Sequence, residues 1–88
     1  MANHKSAEKR ARQDLVRRDR NRAVRSEVRT RVKAVRSAVS SGDAADARER
    51  LRAAERSLRK AASKGVLKKS TASRQVSRLS RAVHRLQA

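Results

Sequence analysis

Glycine and proline usage constrains this chain more than any other feature. In 88 residues there is no proline, and the only glycines are Gly42 and Gly65. They leave three stretches free of helix breakers, and each glycine stands where a helix can end in the left-handed conformation that glycine adopts without steric cost. Asp43 follows the first glycine directly and is placed to cap a second helix, with Asp46 favouring the same positive dipole end. Ser6 and Ser70 are the expected caps of the first and third helices.

Apolar spacing agrees. Val24, Val28, Val32, Val35 and Val39 recur in steps of four, four, three and four, the period of one helical face. Ala47, Leu51, Ala54, Leu58 and Ala61 do the same in the second stretch, and Ala72, Val76, Leu79, Val83 and Leu86 in the third. One narrow apolar stripe per segment is the pattern of a core. The expected fold is therefore all-α: a single domain over 1–88, built as an antiparallel three-helix bundle with helices over about 6–40, 44–63 and 70–87. Short connections force successive helices antiparallel, and Val66 with Leu67 can close one end.

The first stripe does not reach the N-terminus. Carried backwards at the same spacing it meets Asn21, Arg17, Asp14 and Arg10, none of them apolar. Yet Ala, Arg, Lys, Glu and Gln dominate this stretch, and all are good helix formers. The first helix should then run roughly 50 Å at about 1.5 Å per residue, well past its partners. Lys5, Lys9, Arg10 and Arg12 surround its outer part, followed by Arg17, Arg18, Arg20 and Arg22, with Arg25 at its root. Like charges oppose ordering such a segment alone, so residues 1–22 are expected to fray in the free protein and to become helical against a polyanion.

Charge points the same way. Twenty-six Lys plus Arg against eight Asp plus Glu give +18, which makes nucleic acid the leading partner. The excess is uneven: residues 65–88 hold six basic groups and no acid. Arg74, Arg78, Arg81 and Arg85 fall within about 60° of one another on a helical wheel, opposite Val76 and Leu79. Lys68 and Lys69 lie at the start of that helix, where the dipole disfavours cations by about 0.3–1 kcal/mol and a bound phosphate would reverse the penalty. The middle helix is closer to an ordinary surface helix, with Asp46–Arg50 and Glu55–Arg59 at supportive spacing. Basic surfaces on two separate helices suit a molecule that bridges separate segments of nucleic acid.

Several functions are disfavoured. Without cysteine there are no disulfides and no thiolate zinc sites. No apolar run exceeds three residues, too few for a membrane span. The absence of Phe, Tyr and Trp removes aromatic stacking platforms and wedges, so recognition must work through phosphates, sugars and shape. His4 and His84 stand far apart with no Cys, Tyr or carboxylate pair beside either, His84 lies off the apolar stripe, and no glycine-rich phosphate loop exists. No enzyme, cofactor, metal or small-molecule substrate is expected, and no homo-oligomer. A histone-like DNA-compacting protein is the alternative that composition allows, but it would carry repetitive basic tails or a wedge-bearing arm. An anionic-membrane helix wants bulkier apolar residues than these valines and alanines.

The segments MANHKSAEKRARQ, RRDRNRAVRSEVRT, SSGDAADA and KGVLKKSTASRQVSRL resemble, in register and over essentially the whole chain, the family of the twentieth protein of the bacterial small ribosomal subunit. The resemblance implies three helices with a long first one, direct binding to 16S ribosomal RNA early in assembly, and a cytoplasmic place in the ribosome. It implies RNA-binding roles for Asn3, Lys5, Ser6, Lys9 and Arg10 in the N-terminal segment, and for Arg17, Arg18, Asn21 and Arg25 in mid-helix. Lys64, Lys68 and Arg74, around Gly65, match its second basic turn. Arg31 and Arg36 stand where the family often has aromatic residues, which implies a thinner core beside the first helix.

Overall fold

The computed structural model describes residues 3–87, and all its regular structure there is helical: α1 (Asn3–Ser41), α2 (Ala44–Ser63) and α3 (Lys69–Gln87). Both glycines end a helix as expected. Gly42 has φ +78° and Gly65 φ +76°. At the first turn the Gly42 amide donates to the Val39 carbonyl (3.1 Å) and the Asp43 amide to that of Ala38 (3.3 Å). At the second, Gly65 donates to Ala62 (3.1 Å) and Val66 to Ala61 (2.9 Å). These are paired Schellman closures, each satisfying two carbonyls that a helix end would otherwise leave open. Asp43 serves both helices: after closing α1 through its amide, its carboxylate accepts from the Asp46 amide at 3.1 Å and caps α2.

The two serine caps are corrected. Helical backbone already begins at Asn3, so Ser6 lies inside α1 rather than ahead of it. Nothing between Asn3 and Ser6 opposes helix, and a good cap three residues inside a helix-competent stretch does not stop it. In α3 the Lys68 carbonyl accepts from the Ala72 amide (3.0 Å), making Lys68 the residue before the helix and Ser70 part of its first turn. Val66 and Leu67, half-buried against the core, fix the chain just upstream and so set that start.

The three stripes meet as the spacing predicts. Val28, Val35 and Ala38 of α1, Ala47, Ala54, Leu58 and Ala61 of α2, and Ala72, Leu79 and Val83 of α3 are buried. Val24, Val32, Val39, Leu51, Val76 and Leu86 pack half-buried around them. Leu58 and Val35 are the largest side chains sealed completely. One polar contact records the pairing of α1 with α2: the Ser57 hydroxyl, buried in α2, donates to Glu27 Oε1 at 3.5 Å. These two residues are equidistant in sequence from Gly42, so α2 runs back along α1. By the same rule α3 runs forward again, leaning mainly on α2 and more lightly on α1.

The result is long rather than round. Its extents are 67 × 21 × 14 Å and its radius of gyration is 17.7 Å, against about 12 Å for a compact chain of this length. The excess comes from α1, whose residues 4–20 are exposed without exception. Leu15 and Val16 there remain 59% and 68% exposed, and the half-buried Asn21 marks where the helix enters the bundle.

Candidate nucleic-acid interface

The projecting part of α1, residues 3–20, is an arm of about 27 Å at about 1.5 Å per residue. Lys5, Lys9, Arg10, Arg12, Arg17 and Arg18 are all exposed on it, and a turn of 3.6 residues distributes them around the whole circumference. Its acids do not quench them: among the described residues both ion pairs lie in α2, Arg50 to Asp46 at 3.2 Å and Arg59 to Glu55 at 2.9 Å. A 3.4 Å bond from Arg20 Nη2 to Asn21 Oδ1 links neighbours at the arm's root. The backbone of Asn3 lies in the helix, while its side chain falls outside the described side chains, as do residues 1 and 2. Exposed Ser6 presents a free hydroxyl from inside the helix.

A basic ridge then continues from the arm onto the bundle. Arg18, Arg22, Arg25, Arg29, Lys33 and Arg36 follow steps of four, three, four, four and three, and all are exposed. That ridge is cationic for about 27 Å, and from Val24 onward it runs beside the valine stripe at nearly the same pitch. In the sequence Arg29, Lys33 and Arg36 look like ordinary solvated residues of a bundle helix. Folding gives them a second wall, because α3 lies along that flank and Arg78 faces them across it. The groove between, about 470 Å³, has Val28, Val32, Leu67 and Leu79 within it.

On α3 the four arginines are exposed and form the expected outer face. Arg78 turns toward the α1 groove and Arg81 toward a groove shared with α2, so the face splits its charge between two directions. Lys64, Lys68 and Lys69 are exposed at the second turn. The antiparallel register places that turn at the arm's root, and Leu67 accordingly lines the same groove as Arg25 and Val28. Cations distant in sequence, near residue 20 and near residue 66, are thereby gathered at one end of the bundle.

The middle helix is less ordinary than its charge balance suggests. Arg31 of α1 and Arg56, Arg59 and Lys60 of α2 line a further groove of about 500 Å³ around the Glu27–Ser57 bond. The signal that finds them is register: only the pairing of α1 with α2 brings Arg31 beside Arg56. His84 is exposed, as expected, near Ser80, Arg81 and Arg85. Among the described residues no cluster of His, Cys, Asp and Glu could hold a metal ion, and no helix is long and apolar enough to cross a membrane. What this surface offers is fixed positive charge in several directions, with rigid helices setting the distances.

Comparison with known proteins meets this geometry. The family model described as ribosomal protein S20 matches residues 2–84. A small ribosomal subunit protein bS20 of Helicobacter pylori (strain Shi470) is 55% identical over 86 residues, covering 98% of this chain and 97% of the relative. The protein of that name from Wolinella succinogenes is 53% identical over 88 residues, 100% of this chain and 97% of the relative. That of Campylobacter curvus (strain 525.92) is 52% identical over 88 residues, covering 100% and 99%.

Proposed function

The chain belongs to the ribosomal protein S20 family, and on that premise we propose that it is a structural component of the small ribosomal subunit that binds 16S ribosomal RNA directly. Its work there is to bridge RNA helices and hold them together during assembly in the cytoplasm. The observation that carries this reading is the arm: about half of α1 has no protein neighbour, yet carries cations on every side. A helix so exposed and so charged is completed by phosphates that surround it, as they do in the crevices of a folded RNA. The ridges on the bundle face other directions, so RNA segments that approach from different sides are tied to one rigid body.

The residues assigned to this role form three groups. On the arm and its root they are Asn3, Lys5, Ser6, Lys9, Arg10 and Arg12, then Arg17, Arg18, Asn21, Arg22 and Arg25. At the second turn they are Lys64, Lys68 and Lys69, and on α3 Arg74, Arg78, Arg81 and Arg85. The arginines offer bidentate contacts to phosphate and the lysines point charges. With six to ten phosphate contacts, affinity falls roughly 10³- to 10⁵-fold between about 50 and 200 mM salt. Residues 3–22, with little tertiary support, are ordered by this counter-charge: they fray in the free protein and are held helical on RNA.

The test is competition at about 150 mM salt, where non-specific binding is already weak. A structured fragment of 16S ribosomal RNA should displace random duplex DNA of equal length at a concentration at least about tenfold lower. Equal affinity for the two would instead support a DNA-compacting protein.

A further inference from the structure

We infer that the groove between α1 and α3 is a site for one unpaired nucleotide, its base lying on the apolar floor and its flanking phosphates on the basic rims. The inference rests on the RNA-binding reading above and names a part of the ligand that a purely electrostatic surface would not distinguish.

Half-buried Val32 and Leu67 form the floor together with the edges of the buried Val28 and Leu79. Arg25, Arg29, Lys33 and Arg36 make one rim, Arg78 stands on the other, and no carboxylate belongs to either. At about 470 Å³ the groove falls within the range of small-ligand sites, which combine an apolar lining with a few polar groups. Paired RNA cannot use such a floor, because its bases are stacked inward and it presents phosphates and 2′-hydroxyls. A base that has left the stack can, packing on aliphatic side chains and on the planar guanidinium groups beside them. The missing aromatic residues therefore do not exclude contact with a base.

Two further features choose the nucleotide over other anions. The α1 rim does not stop at the groove: it runs on through Arg22 and Arg18 along the arm, so the occupant is a longer polyanion that leaves the groove along this ridge. A polynucleotide strand whose phosphates follow the ridge does this. At the groove's edge stands Gln75, half-buried and the only neutral amide in the lining. It offers a donor and an acceptor together, the pair that recognises the edge of a base. It is a specificity-determining residue, while the rims supply affinity.

The experiment uses the full chain and two RNA hairpins of equal length, one fully paired and one carrying a single bulged nucleotide, with a duplex DNA of the same length as reference. The bulged hairpin should bind about fivefold or more tightly than the paired one, the gain from burying some tens of Å² of apolar floor, and 2-aminopurine at the bulge should brighten as it leaves its stack. An abasic bulge should lose that advantage. Gln75→Ala, a change at the half-buried groove edge that favours helix, should level any preference among the four bulged bases and leave the salt dependence unchanged. Equal binding of bulged and paired hairpins, or full binding of the abasic one, would overturn the inference. So would an acidic amphipathic peptide that binds as tightly as the bulged hairpin, since the groove would then suit a protein. If both hairpins bind no better than DNA, the RNA reading itself has failed. If both bind better than DNA yet equally to each other, only the groove has.

Discussion

Helix α1 contains its own controlled comparison. Its outer half, residues 3–20, and its inner half, residues 24–41, share one continuous backbone and similar helix-forming residues, and both are studded with exposed arginines. They differ in what lies next to the cations. In the inner half a valine stripe faces two other helices and vanishes into a core; in the outer half the same angular positions hold Arg10, Asp14 and Arg17 and face solvent. The lesson is that propensity makes a helix possible while burial makes it stable. One half is held by the protein's own core, and the other, on the function proposed above, by its partner.

Deleting residues 1–20 tests that division most directly and should have the largest effect. Seven cations leave with the segment, and each lost phosphate contact removes about 0.9 from the slope of log affinity against log salt. Filter binding to a 16S fragment should show the slope shrinking by several units and affinity falling about 100-fold or more at about 150 mM salt. The melting transition of the bundle should stay where it was. A truncated chain that melts far earlier would mean the arm supports the core, and the comparison would collapse.

Leucine provides the next test, because each half of the molecule offers one. Leu58 is completely buried on α2, whereas Leu15 is 59% exposed on the arm. Leu58→Ala should cost about 2–5 kcal/mol from lost transfer energy and the cavity left behind. In so small a bundle that is enough to abolish a cooperative thermal transition followed by circular dichroism. Leu15→Ala should stay within about 0.5 kcal/mol of the parent. A comparable loss at Leu15 would show that the arm folds back onto the bundle in solution.

Much of this organisation is legible in the sequence because it is written locally. The stripes that begin at Val24, Ala47 and Ala72 repeat at the period of a helix, and Gly42, Asp43 and Gly65 are tied to their positions by backbone geometry that few other residues satisfy. What stays hidden depends on which helix lies on which flank. Nothing within residues 25–36 says that Arg29, Lys33 and Arg36 will border a groove, since that requires α3 to settle on their side. Arg31 and Arg56 are likewise unrelated until the register set by the first turn aligns them, and the Glu27–Ser57 bond becomes visible only then. The helix starts are misplaced at Ser6 and Ser70 for different reasons: Ser6 is overruled because the residues before it are themselves free to be helical, and Ser70 because Val66 and Leu67 fix the start one residue earlier.

The last predictions turn on opposite signs of one substitution, alanine, in the bundle and in the arm. At Gly65 a methyl group would meet no atom within 4 Å, so sterics with neighbours play no part. The left-handed backbone alone should make Gly65→Ala cost about 1–2 kcal/mol. D-alanine at the same position, whose chirality suits φ +76°, should give that stability back and add a few tenths by restricting the unfolded chain, to about 0.4 kcal/mol or more. Ser6→Ala in the arm should do the reverse, raising the ellipticity of the free protein slightly, because alanine inside a helix is better than serine by a few tenths of a kcal/mol. Were Ser6 a cap, the same change would instead lose about 1 kcal/mol of helix and lower the signal. The sign of that one measurement therefore decides whether the arm's helix begins before Ser6 in solution.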